Sequence, residues 1–151
     1  MERGSVEPEE LTHILLVEDD DIDAEAMARA FRTHRLTSPM TIAKDGLEAL
    51  ALLQGGGNKR LNQPYLILLD INMPRMSGLE LLSVLRQDER LKRSIVFVLT
   101  TSDRPEDKMA AYNYQVAGYL LKSRNGEDFR GLIELLRNYG QLVEFPPEIA
   151  K

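Results

Sequence analysis

The chain has 151 residues, of which 43% are hydrophobic and 28% are charged, and this composition is typical of one globular domain. Its net charge of -5 argues against a general nucleic-acid binder, and its lack of cysteine excludes disulfides, zinc–thiolate sites and thiol catalysis. Residues 1–12 lack the apolar region of a signal peptide, and no apolar run approaches the roughly 20 residues that span a bilayer, so we expect a cytoplasmic protein with a flexible N-terminus and no membrane partner.

Five short apolar runs alternate with longer segments of helical period. The runs predict five strands, which in chain order are His13–Val17, Met40–Ala43, Tyr65–Asp70, Ile95–Thr100 and Gly118–Leu121. The continuous runs Leu66–Leu69 and Ile95–Leu99 are typical of strands that are buried on both faces. This alternation favours an α/β fold with a parallel sheet, right-handed crossovers and helices on both faces.

Apolar residues at helical spacing predict the helices between these strands. The predicted stripes are Ala26, Met27, Ala30 and Phe31; Leu47, Leu50 and Ala51; Leu81, Leu82 and Leu85; and Phe129, Leu132, Ile133 and Leu136. Asp103 and Glu106 have capping-box spacing, with Pro105 inside the first turn, and predict the start of the fourth helix. The segment Gly55–Arg60 predicts a flexible connector, and Pro146–Pro147 ends the last helix or follows its end.

Polar side chains gather where the predicted strands end. In parallel sheets of this kind, sites form outside the carboxyl ends of the strands. The residues at these ends are Glu18 and Asp19, Asp70, Thr100 and Thr101, and Lys122. The first two belong to a run of five carboxylates in six residues, in which two charges 4 Å apart repel by roughly 4 kcal/mol at an effective dielectric near 20. Solvent, counter-charges or a bound cation must relieve this repulsion.

The donor types at these ends indicate phosphoryl chemistry with a hard cation. Oxygen ligands without histidine or cysteine suit Mg²⁺. Asp70 is a candidate carboxylate nucleophile of the kind that forms an aspartyl phosphate. Lys122 and a threonine hydroxyl can neutralise and hydrogen-bond phosphoryl oxygens.

In this order, the motifs resemble the receiver domain of two-component response regulators, over residues 13–140. The motifs are Glu18–Asp19, Asp70–Pro74, Thr100, Gly118–Tyr119 and Lys122. The resemblance implies a flavodoxin-like, doubly wound (βα)₅ fold with strand order 2-1-3-4-5. It also implies a Mg²⁺-dependent reaction in which Asp70 accepts a phosphoryl group from a partner sensor histidine kinase. A receiver assists its own phosphotransfer and dephosphorylation, so we do not expect an enzyme acting on other substrates.

The resemblance also assigns roles within the metal site. It makes Asp19 the direct Mg²⁺ ligand, lets Glu18 act through a metal-bound water, and completes the ligand set with Asp70 and the backbone carbonyl of Asn72. The remaining acids of the run, Asp20, Asp21 and Asp23, are assigned to the charged start of the first helix, where carboxylates are favoured.

A conformational switch follows from the same resemblance. Thr100 is the switch hydroxyl, Lys122 pairs with the phosphoryl group, and Tyr119 is the aromatic residue that changes rotamer. The phosphoryl group draws the Thr100 hydroxyl inward and Tyr119 moves into the vacated space. The surface that changes is formed by helix four, strand five and helix five, with Tyr112, Tyr114 and Tyr119.

One departure from the family pattern and three alternatives stay open at this point. Ser123 stands where most receivers have a proline joined by a cis peptide, and we expect a trans bond because a non-proline cis bond costs about 2.5–4 kcal/mol. A degenerate receiver, acting as an interaction module without phosphorylation, is supported by Ser123 alone. A phosphohydrolase of the haloacid-dehalogenase type needs a second aspartate where this chain has Asn72. A calcium loop beginning at Asp19 fails because its sixth and twelfth positions are Ala24 and Ala30.

The segment after Gly140 is too short for an output domain, so we expect a stand-alone receiver. The long loop after the second helix and the tail, residues 141–151 with Phe145–Pro147, resemble the small response regulators that accompany bacterial phytochrome-type kinases. In that subgroup the tail contributes to dimerisation. One interpretation is a homodimer through helix four, strand five, helix five and the tail; the other is a tail that packs on its own domain or is disordered.

Overall fold

The computed structural model describes residues 12–55, 61–124 and 128–147. Strands and helices alternate along these residues, and their bounds are β1 His13–Val17, α1 Asp21–Thr33, β2 Met40–Ala43, α2 Gly46–Leu53, β3 Tyr65–Leu69, α3 Gly78–Gln87, β4 Ile95–Thr100, α4 Pro105–Asn113, β5 Gly118–Leu121 and α5 Arg130–Leu142. The strands pair in parallel in the order β2-β1-β3-β4-β5. The flavodoxin-like fold and its strand order are therefore confirmed, and the strand bounds agree except that β3 ends one residue before Asp70.

The sheet lies between two apolar layers. Because successive side chains of a strand point to opposite faces, Leu15 and Ile67 pack with α2, α3 and α4, whereas Ile14 and Leu66 pack with α1 and α5. Burial on both faces explains the continuous apolar runs of β3 and β4. Since helices cover both faces, the polar residues that end the strands collect at one open edge.

The second helix buries a different stripe from the one predicted. The stripes predicted for α1, α3 and α5 are largely buried, but in α2 Leu47 is 48% exposed and Ala51 is also exposed. The buried residues of α2 are instead Gly46, Ala49, Leu52 and Leu53. Since Glu48 is the single polar residue of this helix, helical spacing fits more than one stripe. The prediction is wrong for Leu47 and Ala51, whereas Leu50 is partly buried and packs against the core.

The fourth helix begins without the predicted capping box. Pro105 occupies its first turn as expected, but the N-cap residue is Arg104 and no side chain caps the helix. The Asp103–Glu106 box is therefore wrong. The carboxylate of Glu106 pairs instead with the Arg104 guanidinium at 3.2 Å, in an exposed ion pair.

A capping box occurs instead at the third helix, close to Asp70. The hydroxyl of Ser77 accepts a hydrogen bond from the Glu80 N–H (3.2 Å), and the Glu80 carboxylate accepts one from the Ser77 N–H (2.8 Å). At the next residue, a Cβ on Gly78 would lie 2.5 Å from the carbonyl oxygen of Asp70. The start of α3 is therefore fixed directly against the segment that follows β3.

Several predicted segments fall partly outside the described residues. These are residues 1–11 of the N-terminal segment, residues 56–60 of the connector and residues 148–151 of the tail. Thr12 is buried, and α5 continues to Leu142, so Pro146–Pro147 follow the end of the helix. The ring of Phe145 packs edge-on against Tyr139 with centroids 5.8 Å apart, which places this part of the tail on its own domain. Among the described helices, none has the length and apolar character that a membrane span requires.

Candidate functional site

The ends of four strands bring the predicted site residues to one edge of the sheet. Val17 is in register with Leu69, and Thr100 with Leu121, so the residues that follow these strands emerge at similar heights. The Asp70 N–H donates to the carbonyl of Val17 (3.1 Å), which ties the segment after β3 to the end of β1. Adjacent parallel strands therefore place residues that are far apart in sequence within hydrogen-bond distance of one another.

Asp70 lies at the centre of this edge and is buried, with 7% of its surface exposed. Its Oδ1 accepts hydrogen bonds from the Thr100 hydroxyl (2.9 Å) and from the Asn72 backbone N–H (3.0 Å). Its Oδ2 accepts from Lys122 Nζ at the longer distance of 3.3 Å. One carboxylate oxygen is thus held by two donors, while the other has one long, charge-assisted contact.

Lys122 begins a short 3₁₀ turn directly after β5, and its ammonium meets three carboxylates. Nζ lies 2.7 Å from Glu18 Oε1, 2.8 Å from Asp23 Oδ2 and 3.3 Å from Asp70 Oδ2. Burial alone lowers the pKa of Lys122, but hydrogen bonds to Asp23 and Glu18 and the charge of Asp70 outweigh it, and the pKa is raised above its usual value. Lys122 is therefore a cation at neutral pH.

The peptide bond from Lys122 to Ser123 is trans, since Gln63–Pro64 is the one cis peptide among the residues described. The expectation for this departure from the family pattern is confirmed. Lys122 reaches Asp70 with the trans bond in place. Ser123 therefore does not by itself remove the lysine from the site. This position of Lys122 weakens the hypothesis of a degenerate receiver.

Three acids of the N-terminal run differ in what they contact. Asp20 is the N-cap of α1 and accepts from the N–H groups of Ile22 and Asp23. Asp21 pairs with Lys44 at 3.1 Å, and both side chains are mostly exposed. Both fit the predicted helix start. Asp23 also lies in the first turn, but its contact with Lys122 makes it a site residue that the sequence did not indicate, because the partner lies 99 positions away.

Glu18, Asp19 and Asp70 could hold a divalent cation. One carboxylate oxygen from each lies within 4.8 Å of the others. Glu18 is buried and Asp19 is exposed; burial raises the pKa of Glu18, and the hydrogen bond from Lys122 opposes that rise. Oxygen donors with one side open to solvent fit Mg²⁺, which takes few protein ligands and keeps several waters. The carbonyl of Asn72 as a further ligand remains a prediction; its side chain is exposed.

A hydrogen-bonded path leads from Asp70 towards α4. Thr100, which is fully buried, accepts a long hydrogen bond from the Ser102 N–H (3.4 Å). The carbonyl of Ser102 accepts from the Tyr119 hydroxyl (2.8 Å), and the Ser102 hydroxyl donates to Asp107 in the first turn of α4 (2.5 Å). Ser102 was not predicted, because a loop serine carries no sequence signal for such a position.

The comparisons with known proteins agree with this geometry. Residues 14–134 match the model of the family described as the response regulator receiver domain. The chain is 39% identical to the response regulator Rcp1 of Synechocystis sp. over 127 residues. The aligned part covers 83% of this chain and 86% of Rcp1.

Solved structures of similar proteins support the same relationship. The Mn²⁺-bound form of Rcp1 matches with a TM-score of 0.76 and 37% identity, over 90% of this chain and 99% of that one. The phosphorylated cyanobacterial phytochrome response regulator RcpA matches with a TM-score of 0.78 and 29% identity, over 91% of this chain and 100% of that one.

Proposed function

This chain belongs to the response regulator receiver family, and on that basis we propose that Asp70 accepts a phosphoryl group from the phosphohistidine of a partner sensor kinase. The observation that carries the proposal is the convergence of a buried carboxylate, a lysine and a threonine hydroxyl beside two further acids. Phosphoryl transfer needs positioning and charge neutralisation more than covalent chemistry from the protein, and these groups supply both.

The proposed transfer forms one bond and breaks one. An oxygen of the Asp70 carboxylate attacks phosphorus, the bond from phosphorus to the imidazole nitrogen of the donor breaks, and the imidazole keeps the electron pair. Oδ2 is the better candidate for the attacking atom, because Oδ1 already accepts two shorter hydrogen bonds. Lys122 neutralises charge on the transferred group, and Glu18, Asp19 and Asp70 would hold Mg²⁺, which supplies further charge neutralisation when bound.

Labelling with a small phosphodonor tests this proposal without knowledge of the kinase. We expect acetyl phosphate to label the protein in the presence of Mg²⁺ and chelation with EDTA to prevent labelling. Asp70→Asn should abolish labelling because the amide oxygen is a poor nucleophile. Asp45→Asn is a matched control, since Asp45 is a buried carboxylate that caps α2 outside the cluster. Equal labelling of Asp70→Asn and the unmodified protein would contradict the assignment.

We further propose that phosphorylation is transmitted along the path from Thr100 through Ser102 to Tyr119 and α4. The Thr100 hydroxyl would exchange its hydrogen bond with Asp70 for one with a phosphoryl oxygen, which displaces Ser102 and the partners that it holds. In NMR spectra, beryllofluoride should shift α4 amide signals in the wild type and in Thr101→Ala, whose threonine is exposed. Thr100→Ala should lose most of this response; an undiminished response would contradict the path.

The rival phosphohydrolase gains no support from the site. It needs a general acid two residues after the nucleophile, and Asn72 contacts Asp70 through its backbone N–H while its side chain is exposed. Steady release of phosphate from a phosphate ester, at a rate above that of Asp70→Asn, would favour the phosphohydrolase. Labelling that saturates at one phosphoryl group per chain would favour the receiver.

For the partners, we propose a kinase of the phytochrome type and a homodimer through α4, β5 and α5. Similarity to RcpA, which is described as a phytochrome response regulator, supports the kinase class. Two large apolar side chains of α4, Met109 and Tyr112, are 67% and 53% exposed, and supply a surface for the dimer. Sedimentation velocity should show a dimer that Met109→Lys weakens, with Ile22→Lys on α1 as the control. A monomer at all concentrations would contradict the dimer.

A further inference from the structure

Asp23 contacts the site but has no role in the phosphotransfer chemistry described above. Its carboxylate lies 2.8 Å from Lys122 Nζ, closer than the 3.3 Å between Lys122 and Asp70. We propose that Asp23 is a positioning residue that keeps the Lys122 ammonium beside Asp70 during phosphoryl transfer. This inference rests on the proposed function, and it adds a residue on α1 to the groups on which the transfer rate depends.

The three contacts of Lys122 differ in what else each carboxylate must do. An ammonium has three N–H donors, and here they meet Glu18, Asp23 and Asp70. Glu18 and Asp70 also belong to the group that could bind a cation, and Asp23 is not in that group among the residues described. Asp23 is therefore the partner of Lys122 that has no part in binding a cation or in accepting the phosphoryl group.

The burial of the two closer partners shows how they restrain the ammonium. The side chain of Glu18 is 4% exposed and that of Asp23 is 43% exposed. Glu18 thus holds Lys122 from the buried side and Asp23 from the side open to solvent. Without Asp23, the flexible four-carbon stem of the lysine can rotate the ammonium into water, where it is strongly hydrated.

The local backbone gives Lys122 few other restraints. Its side chain extends from a 3₁₀ turn of three residues, Lys122–Arg124, with a trans bond to Ser123. Asp23 is held more firmly, because its own N–H donates to the N-cap carboxylate of Asp20 at 3.0 Å and α1 continues beyond it to Thr33. The ion pair to Asp23 therefore restrains the Lys122 side chain by linking it to α1.

Asp23 also has a competing effect, which would slow the phosphoryl transfer rather than assist it. A carboxylate at 2.8 Å could compete with the phosphoryl group for Lys122, so its removal would then speed the transfer. Positioning dominates, because the N–H donor that meets Asp70 at 3.3 Å, the longest of the three contacts, can turn to the phosphoryl group while Lys122 keeps Asp23.

Labelling rates with acetyl phosphate at saturating Mg²⁺ test this inference. Asp23→Asn keeps an oxygen acceptor but loses the charge, and we expect labelling to slow about threefold; Asp23→Ala loses both, and we expect about a tenfold decrease. Asp23→Glu should recover part of the rate. The matched control is Asp21→Asn, which removes a charge from the same helical turn but contacts Lys44, and it should label at the wild-type rate.

Two readouts separate positioning from a general effect on structure. In a Lys122→Met background, Asp23→Ala should cause no further decrease in the labelling rate. In ¹⁵N NMR spectra of the unphosphorylated protein, the Lys122 ammonium signal should be protected from exchange with water in the wild type and in Asp21→Asn, and lost in Asp23→Ala. Unchanged or faster labelling of both Asp23→Asn and Asp23→Ala would overturn the inference, and so would an equal decrease in the Lys122→Met background.

Failure of the proposed function gives a different pattern. If acetyl phosphate does not label the wild type at all, the proposed function fails, and the ammonium signal then decides the inference alone. A signal that persists unchanged in Asp23→Ala overturns the positioning role, while a signal lost in Asp23→Ala and kept in Asp21→Asn supports it.

Discussion

Replacing Gly78 with alanine should destabilise the protein more than the same substitution at Gly118 on β5. A Cβ at this position would lie 2.5 Å from the carbonyl oxygen of Asp70 and 2.6 Å from the Cα of Ile71. Both are backbone atoms, so neither can rotate away as the end of a side chain could. Restoring ordinary contact at 3.4 Å requires a backbone displacement of about 0.9 Å between the start of α3 and the segment after β3.

We expect this displacement to lower the free energy of unfolding by about 2–3 kcal/mol, since overpacking in a well-packed interior typically costs about 1–3 kcal/mol. Gly118→Ala is the matched control, because a Cβ there meets only the ring of Phe97 at 3.1 Å and the ring can move slightly. We expect a loss below about 1 kcal/mol for that control.

Urea unfolding followed by far-UV circular dichroism measures both effects. With a slope of about 1.5 kcal/mol per molar urea, Gly78→Ala should lower the midpoint by about 1.3–2 M. The same displacement moves Asp70, so labelling by acetyl phosphate should also slow under conditions in which the variant is folded. A midpoint for Gly78→Ala equal to that of the wild type, or higher than that of Gly118→Ala, would refute the reasoning.

Two further predictions concern polar side chains outside the site, the buried His13 and the partly buried Arg86. Burial lowers the pKa of His13, whose Nδ1 accepts from the Asn62 N–H, so the free energy of unfolding should decrease as pH falls below about 6.5. Urea titrations across this range should show a weaker decrease for His13→Asn, and equal decreases would contradict the assignment. Arg86→Ala should lower the free energy of unfolding by about 2–4 kcal/mol in the same assay. Arg86→Lys should recover only part of this stability. A loss below about 0.5 kcal/mol for Arg86→Ala would contradict the prediction. The reason is that the guanidinium donates to four backbone carbonyls, those of Lys92, Ser94, Tyr114 and Gln115.

The sheet and its order could be predicted because buried parallel strands need continuous apolar runs. The runs Leu66–Leu69 and Ile95–Leu99 are bounded by polar residues, so even their ends could be placed within a residue. The buried stripe of α2 could not, because a helix that is almost wholly apolar offers several stripes of equal spacing. Which one is buried depends on how α2 packs against the sheet and α3, and a single sequence does not contain that contact.

The site also contains residues that the sequence predicts and residues that it does not. Asp70, Thr100 and Lys122 could be predicted, because parallel strands must deliver their last residues to one edge. Asp23 and Ser102 contact partners that only the folded chain brings near, and neither stands at a strand end. The capping box at Asp103 failed for a related reason: its spacing was right, but Glu106 pairs with Arg104.

A crystal structure of the protein with Mg²⁺ and beryllofluoride would test the central claim most directly. Phosphorylation at Asp70 predicts beryllium bonded to a carboxylate oxygen of Asp70, with Lys122 and Thr100 hydrogen-bonded to fluorides and the cation beside Asp19. Beryllofluoride bonded to another carboxylate, or an unmodified Asp70 in crystals grown with both reagents, would contradict the claim.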